Sequence, residues 1–112
     1  MPAKRFASKM LNTANVWTLV FTAAANKDTV FSIHCVNHNQ NDETIIDLAI
    51  VPDTTINDLV DEDTFIKGQA IFRNSFRAWE GIPLQSGYTL AVKSSKTNVS
   101  VLAYGFEENV PA

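Results

Sequence analysis

Apolar and polar residues alternate along most of this chain with a period of two. Successive side chains of a strand point to opposite faces, so this alternation predicts half-buried strands. The firmest stretch is the last third, residues 80–107. A Gly/Pro-punctuated lead-in, Glu80-Gly81-Ile82-Pro83-Leu84-Gln85-Ser86-Gly87, precedes an alternating run from Tyr88 to Lys93. Ser94-Ser95-Lys96-Thr97-Asn98 reads as a polar turn before a second run, Val99 to Glu107. Two such runs around a short turn predict a β-hairpin. In it Leu90 and Val92 share an inward side with Leu102, Tyr104 and Phe106, and Val99, Val101 and Ala103 take the other side. Gly105 inside an apolar strand predicts a bulge or a close backbone approach.

Upstream, the same pattern predicts strands over residues 16–22, 29–37 and 43–51. Trp17, Leu19 and Phe21 share one face of the first, and Phe31, Ile33 and Cys35 share one face of the second. Ile46, Leu48 and Ile50 form the inward set of the third, which Pro52 closes because proline cannot donate to a central ladder. Phe65 and Ile66 suggest a short strand. Residues 70–79 read as one longer strand with Arg73, Arg77 and Trp79 on its more polar face. Residues 53–63 are an acidic connection, expected to be a loop or a short helical turn anchored by Ile56, Leu59 and Val60. Residues 1–15 show no sustained period and read as an extended N-terminal arm, leaving 16–112 as one domain.

Composition supports this picture. The chain has 112 residues, of which 46% are hydrophobic, with seven Phe among them. That suits a single domain with its own core. The strand plan predicts an all-β fold, an antiparallel β-sandwich of jelly-roll-like form with about six to eight short strands. No apolar run reaches the roughly 20 residues of a membrane span. Cys35 is the only cysteine, which excludes an intrachain disulfide. No apolar signal-peptide core follows the basic N-terminus, so a soluble protein made in a reducing cytoplasm is expected.

Charge adds a polarity. The first 27 residues carry Lys4, Arg5, Lys9 and Lys27 and no acid, a charge of +4; the rest has five basic and twelve acidic residues, a charge of −7. A basic arm on an acidic body suggests docking on an acidic neighbour, including another copy of the chain. Nucleic acid is disfavoured, because four cations are few and the body would be repelled. The interface candidates are therefore Lys4, Arg5, Phe6 and Lys9 in the arm, with Arg73, Arg77 and Trp79 as a second stripe, Trp and Arg being enriched at interface hot spots.

No catalytic, metal or cofactor site is expected. His34 and His38 lie on one strand face roughly 13–14 Å apart at about 3.3–3.4 Å per residue, too far for one Zn²⁺, and Cys35 points away from both. No nucleophile elbow or EF-hand pattern occurs. Asn98-Val99-Ser100 matches a glycosylation sequon, without a secretory signal to give it meaning.

The last third also carries a family resemblance. Gly81-Ile82-Pro83-Leu84-Gln85-Ser86-Gly87-Tyr88-Thr89-Leu90-Ala91-Val92 resembles a turn of the form x-L-x-x-G-D-x-L-x-V in small virion proteins of tailed bacteriophages, with Tyr88 where that pattern carries Asp. Val99-Ser100-Val101-Leu102-Ala103-Tyr104-Gly105-Phe106-Glu107 is similar to the strand ending in Tyr-Gly-x-Glu that follows it there. Lys4-Arg5-Phe6-Ala7-Ser8-Lys9 is similar to the arms of small structural proteins of marine cyanophage-like viruses. The resemblance implies a non-enzymatic virion protein assembled in the host cytoplasm. Capsid decoration is expected first, with the major capsid protein or neighbouring accessory subunits as partners and a homo-oligomeric state. A neck, tail or fibre accessory is the alternative. A carbohydrate-binding sandwich, stacking sugar on Trp17 or Trp79, is the reading from another class. Both fold and resemblance lean on the terminal hairpin.

Overall fold

The computed structural model describes residues 3–52 and 63–110. Eight strands run through them: β1 (Lys4–Leu11), β2 (Thr18–Thr22), β3 (Lys27–Asn37), β4 (Thr44–Val51), β5 (Thr64–Ile71), β6 (Phe76–Leu84), β7 (Thr89–Ser94) and β8 (Val99–Asn109). They form two four-stranded sheets, a front sheet in the order β1-β8-β3-β6 and a back sheet in the order β2-β7-β4-β5. The antiparallel pairs β1–β8, β2–β7, β3–β6 and β4–β5 are successive sections of one long hairpin folded over on itself. The pairs β3–β8 and β4–β7 close it into two layers. This is the jelly-roll form of the sandwich, in agreement with the all-β architecture that the alternation predicts.

The terminal hairpin, however, is absent. β7 lies in the back sheet between β2 and β4, and β8 lies in the front sheet between β1 and β3. Residues 94–98 carry the chain from one layer to the other, ending at Asn98 with φ 62°. A strand that crosses between layers has the same alternation as one that turns back within a sheet, so periodicity does not separate the two cases. The side assignment reverses as well. Val99, Val101, Ala103 and Gly105 are the buried side of β8, and Leu102 and Phe106 are exposed. At Gly105 β8 runs hard against β3: a Cβ there would collide with the Val30 carbonyl and stand 2.8 Å from the Phe31 Cα. The expected close approach at Gly105 is thus found.

Residues 70–79 are not one strand either. β5 ends at Ile71, and Ser75 N–H donates to the Phe72 carbonyl at 3.2 Å in a turn with Asn74 at φ 52°. A short polar side chain tolerates that left-handed conformation better than most. β6 then extends through Gly81 to Leu84, so the expected lead-in is strand. Phe65 and Ile66 belong to the full-length β5. Of the acidic connection, residues 53–62 lie outside the described residues.

The supposed arm is a sheet strand. β1 pairs with β8 from Lys4↔Gly105 to Leu11↔Val99, with a register shift between Arg5 and Ala7. That bulge hides its period and turns Phe6 inward, where its ring stacks on Phe21 at 5.0 Å; Phe21 in turn meets Phe31 edge-on at 5.3 Å. β1 covers what would otherwise be an open edge of β8.

Between the layers lie Phe31, Ile33 and Cys35 of β3, Ile46 and Leu48 of β4, Leu90 and Val92 of β7, and Val99 and Val101 of β8, all buried. Each large apolar side chain so buried contributes roughly 1.5–3 kcal/mol. Three of the buried polar side chains are partnered at one end of the sandwich, Thr89 bonds Thr22 at the other, and the Thr29 hydroxyl has no partner among the described residues. Thr44 and Ser94 share a hydroxyl hydrogen bond of 2.5 Å, and Asn37 Nδ2 donates to the Asp42 and Ile71 carbonyls at 2.9 and 3.0 Å.

Candidate interaction face

The outer face of the front sheet is the least ordinary surface of the molecule. The register sets its outward residues in rows across β1, β8, β3 and β6. Met10, Ser100, Val36 and Phe76 form one row, and Ser8, Leu102, His34 and Ala78 the next. Arg5, Tyr104 and Ser32 follow, then Phe106, Val30 and Pro83. Glu108 and Asp28 end the face. Met10, Val30, Phe76, Leu102 and Phe106 are between 36% and 63% exposed. Their number on one sheet face matters, because scattered single exposures are normal and a contiguous apolar patch is not.

Aromatic contacts hold this face in one shape. The His34 ring lies parallel to Phe76, with centroids 6.1 Å apart, and tilts against Tyr104 at 5.4 Å. His34 Nε2 is 2.9 Å from the Tyr104 hydroxyl, and His38 Nε2 is 2.9 Å from the Ser100 hydroxyl. One aromatic run therefore spans β6, β3 and β8. Its groups have few rotamers left to lose on binding, which favours a docking role. At the acidic end, a concavity lined by Asp28, Val30, Phe106 and Glu108 opens beside Phe106.

Six of the seven interface candidates fall on opposite edges of the front sheet. Lys4, Arg5 and Phe6 come together with Phe21, Thr29 and Glu107 around a cleft of about 200 Å³ at the β1 edge. Lys4 Nζ donates to Glu107 Oε1 at 2.9 Å, and Lys27 Nζ stands 3.7 Å from the same oxygen. The Lys4 hydrogen bond, with the Lys27 charge behind it, holds the Glu107 carboxyl below its ordinary range. Lys9 Nζ donates to the Leu19 carbonyl at 2.8 Å. The basic segment thus docks on an acidic neighbour inside its own chain. At the β6 edge, Arg77 Nη1 donates to Gln69 Oε1 at 2.7 Å and its guanidinium covers the Trp79 ring at 5.5 Å. Arg73 sits apart in the exposed β5–β6 turn, beside Phe72, which is 73% exposed.

The remaining candidates are engaged in packing. Cys35 is buried on the inner face, away from His34, and burial pushes its thiol pKa up to about 12. Among the described residues no three His, Cys, Asp or Glu side chains gather closely enough to hold a metal. Trp79 packs against the core beneath Arg77, and Trp17 lies under the Lys93 ammonium at 4.9 Å. A cation therefore stands over one face of each indole, where a sugar would otherwise stack.

The apolar face itself escaped the sequence reading, which placed Leu102, Tyr104 and Phe106 inside. The available signal was the inner series Val99, Val101, Ala103, Gly105, which shrinks along the strand as a close sheet-to-sheet or strand-to-strand approach requires. Compared with protein-family models and with curated proteins, the chain matches none.

Proposed function

We propose that this protein is a non-enzymatic structural component of a tailed-bacteriophage particle, assembled in the host cytoplasm, where it decorates the capsid shell. One observation carries the reading: the exposed apolar and aromatic face of the front sheet, bounded by charge and stiffened by the Phe76–His34–Tyr104 run. A surface of this kind fits assembly better than turnover of a small molecule. Viral capsid domains are among the users of the jelly roll, although the fold alone does not specify function. The sequence resemblance to small virion proteins supplies the particle, and it rests on the residues alone, since the hairpin expected of β7 and β8 is not formed.

The arm no longer serves as the grip on a neighbouring subunit, since β1 is a sheet strand whose Leu11 is in the core. Deleting residues 1–15 would damage the fold and could not isolate attachment. A cleaner test uses antibody raised against the purified chain to label phage particles from the sequence's own source. Gold on the head surface supports decoration. Gold at the neck or tail moves the protein to the accessory alternative, and unlabelled particles overturn the virion reading.

A further inference from the structure

We propose that the outer face of the front sheet is a self-association surface, and that its occupant is a second copy of this chain packed face to face. The inference rests on reading that face as an assembly surface and adds which partner fills it.

Three features point to a copy. The first is size. Four strands about 4.8 Å apart, with β3 and β8 each rising about 3.3 Å per residue over their 11 residues, present roughly 600 Å² in projection. That approaches the roughly 800 Å² each partner contributes to a standard stable interface. The second is the distribution of charge. Asp28 and Glu108 stand at one end of the face and His38 at the other, and in the rows named between them the one charged residue is Arg5, on the outermost strand β1. The third is self-complementarity. A two-fold axis lying across the strands, between Ser32 and His34, places the Phe106–Val30–Pro83 row on the partner's Ser100–Val36–Phe76 row. It sets the Leu102 row on the Tyr104 row and brings Asp28 toward His38. An axis along the strands would instead set Asp28 and Glu108 on the same pair of the partner copy, bringing together four carboxylates that repel. Isologous contact about the transverse axis is therefore the arrangement this face favours, with strands of the two copies antiparallel and aligned as in ordinary sheet-on-sheet packing.

The test uses the full chain in sedimentation equilibrium. The expected species has twice the 12.4 kDa monomer mass. Phe106→Asp and Phe76→Asp, both at exposed positions, should each weaken association at least tenfold while circular dichroism stays unchanged. Geometry is read separately by treating an equimolar mixture of Val30→Cys and Val36→Cys proteins with a short bismaleimide, which spans the roughly 10 Å between packed sheets that a disulfide cannot. Cross-linked pairs in the mixture, and not in either protein alone, are expected. A monomer at high micromolar concentration, a dimer indifferent to Phe106→Asp, or cross-linking of Val30→Cys with itself overturns the proposal. A dimer found together with unlabelled particles would retain this interface and remove the virion reading; labelled heads with a monomeric chain would do the reverse.

Discussion

Gly105 lies directly opposite Phe31 in the β3–β8 ladder, with no room for a side chain between the two backbones. The obstruction is main chain, the Val30 carbonyl and the Phe31 Cα, so no rotamer change can relieve it. Gly105→Ala is expected to cost at least the roughly 1–3 kcal/mol typical of overpacking. Urea titration followed by fluorescence measures this, and an unchanged midpoint would show that the two strands separate freely.

Asn37 ties together two loops distant in sequence. Its Nδ2 donates to the Asp42, Ile71 and Phe72 carbonyls at 2.9, 3.0 and 3.3 Å, while its Oδ1 accepts from Asn39 N–H at 3.0 Å. Asn37→Ala leaves buried carbonyls without a donor, a loss of about 1–3 kcal/mol. Asn39→Ala should cost less, because Asn39 is only partly buried and its backbone N–H bond to Asn37 survives. Thermal melts of the two variants check the order, and equal losses would contradict the assignment of Asn37 as the hub.

Cys35 should be silent to thiol reagents in the folded protein and reactive once it is unfolded. Burial raises its pKa from 9.0 to about 12. The unfolded thiol therefore releases its proton at lower pH than the folded one. The contribution of this group to stability is complete below about pH 9 and declines as pH rises toward the folded value. Cys35→Ala should flatten that part of the alkaline limb. A native thiol titrated stoichiometrically by a colorimetric disulfide at pH 8 would refute its burial.

Glu107 gives the opposite sign on the acid side. Its folded pKa is lowered by Lys4 first and Lys27 second, so its contribution is present above the ordinary carboxylate pKa and is lost as pH falls through the folded value. Glu107→Gln should loosen the start of β1, seen as faster hydrogen exchange near Lys4 and Arg5. High salt should produce the same loosening in the unmodified protein. Exchange insensitive to both would mean that the ladder alone secures this edge.

How far the sequence reveals the fold is clearest in the strands where expectation and structure differ. The alternation of Phe31, Ile33 and Cys35 marks a buried face, because β3 is central and the middle of its inner side is apolar, with the polar Thr29 and Asn37 only toward its ends. β1 was unreadable for a local reason: the bulge at Phe6 interrupts the period, and an edge strand beside solvent keeps Lys4, Arg5 and Lys9. The break between β5 and β6 depended on Asn74 adopting positive φ in the middle of an otherwise regular pattern, a weaker signal than Gly would give. On β8, side-chain size is a misleading guide to burial. There, Ala103 and Gly105 lie inside, Gly105 pressed against the β3 backbone, and Leu102 and Phe106 lie outside. What Lys4 and Arg77 touch within the chain, Glu107 and Gln69, depends on strand order, which residue spacing does not encode.

The pairing of each strand with its mirror position along the chain has a kinetic consequence. Only β4–β5 joins sections that are neighbours in sequence; β3–β6, β2–β7 and β1–β8 close progressively longer loops. Each closure carries an entropic cost that rises with loop length and comes before the contacts that offset it. Refolding is accordingly expected on the millisecond-to-second scale of non-local β topologies. It should start at the β4–β5 end, and the seam of β1 on β8 should be the last ladder to zip and the first to open.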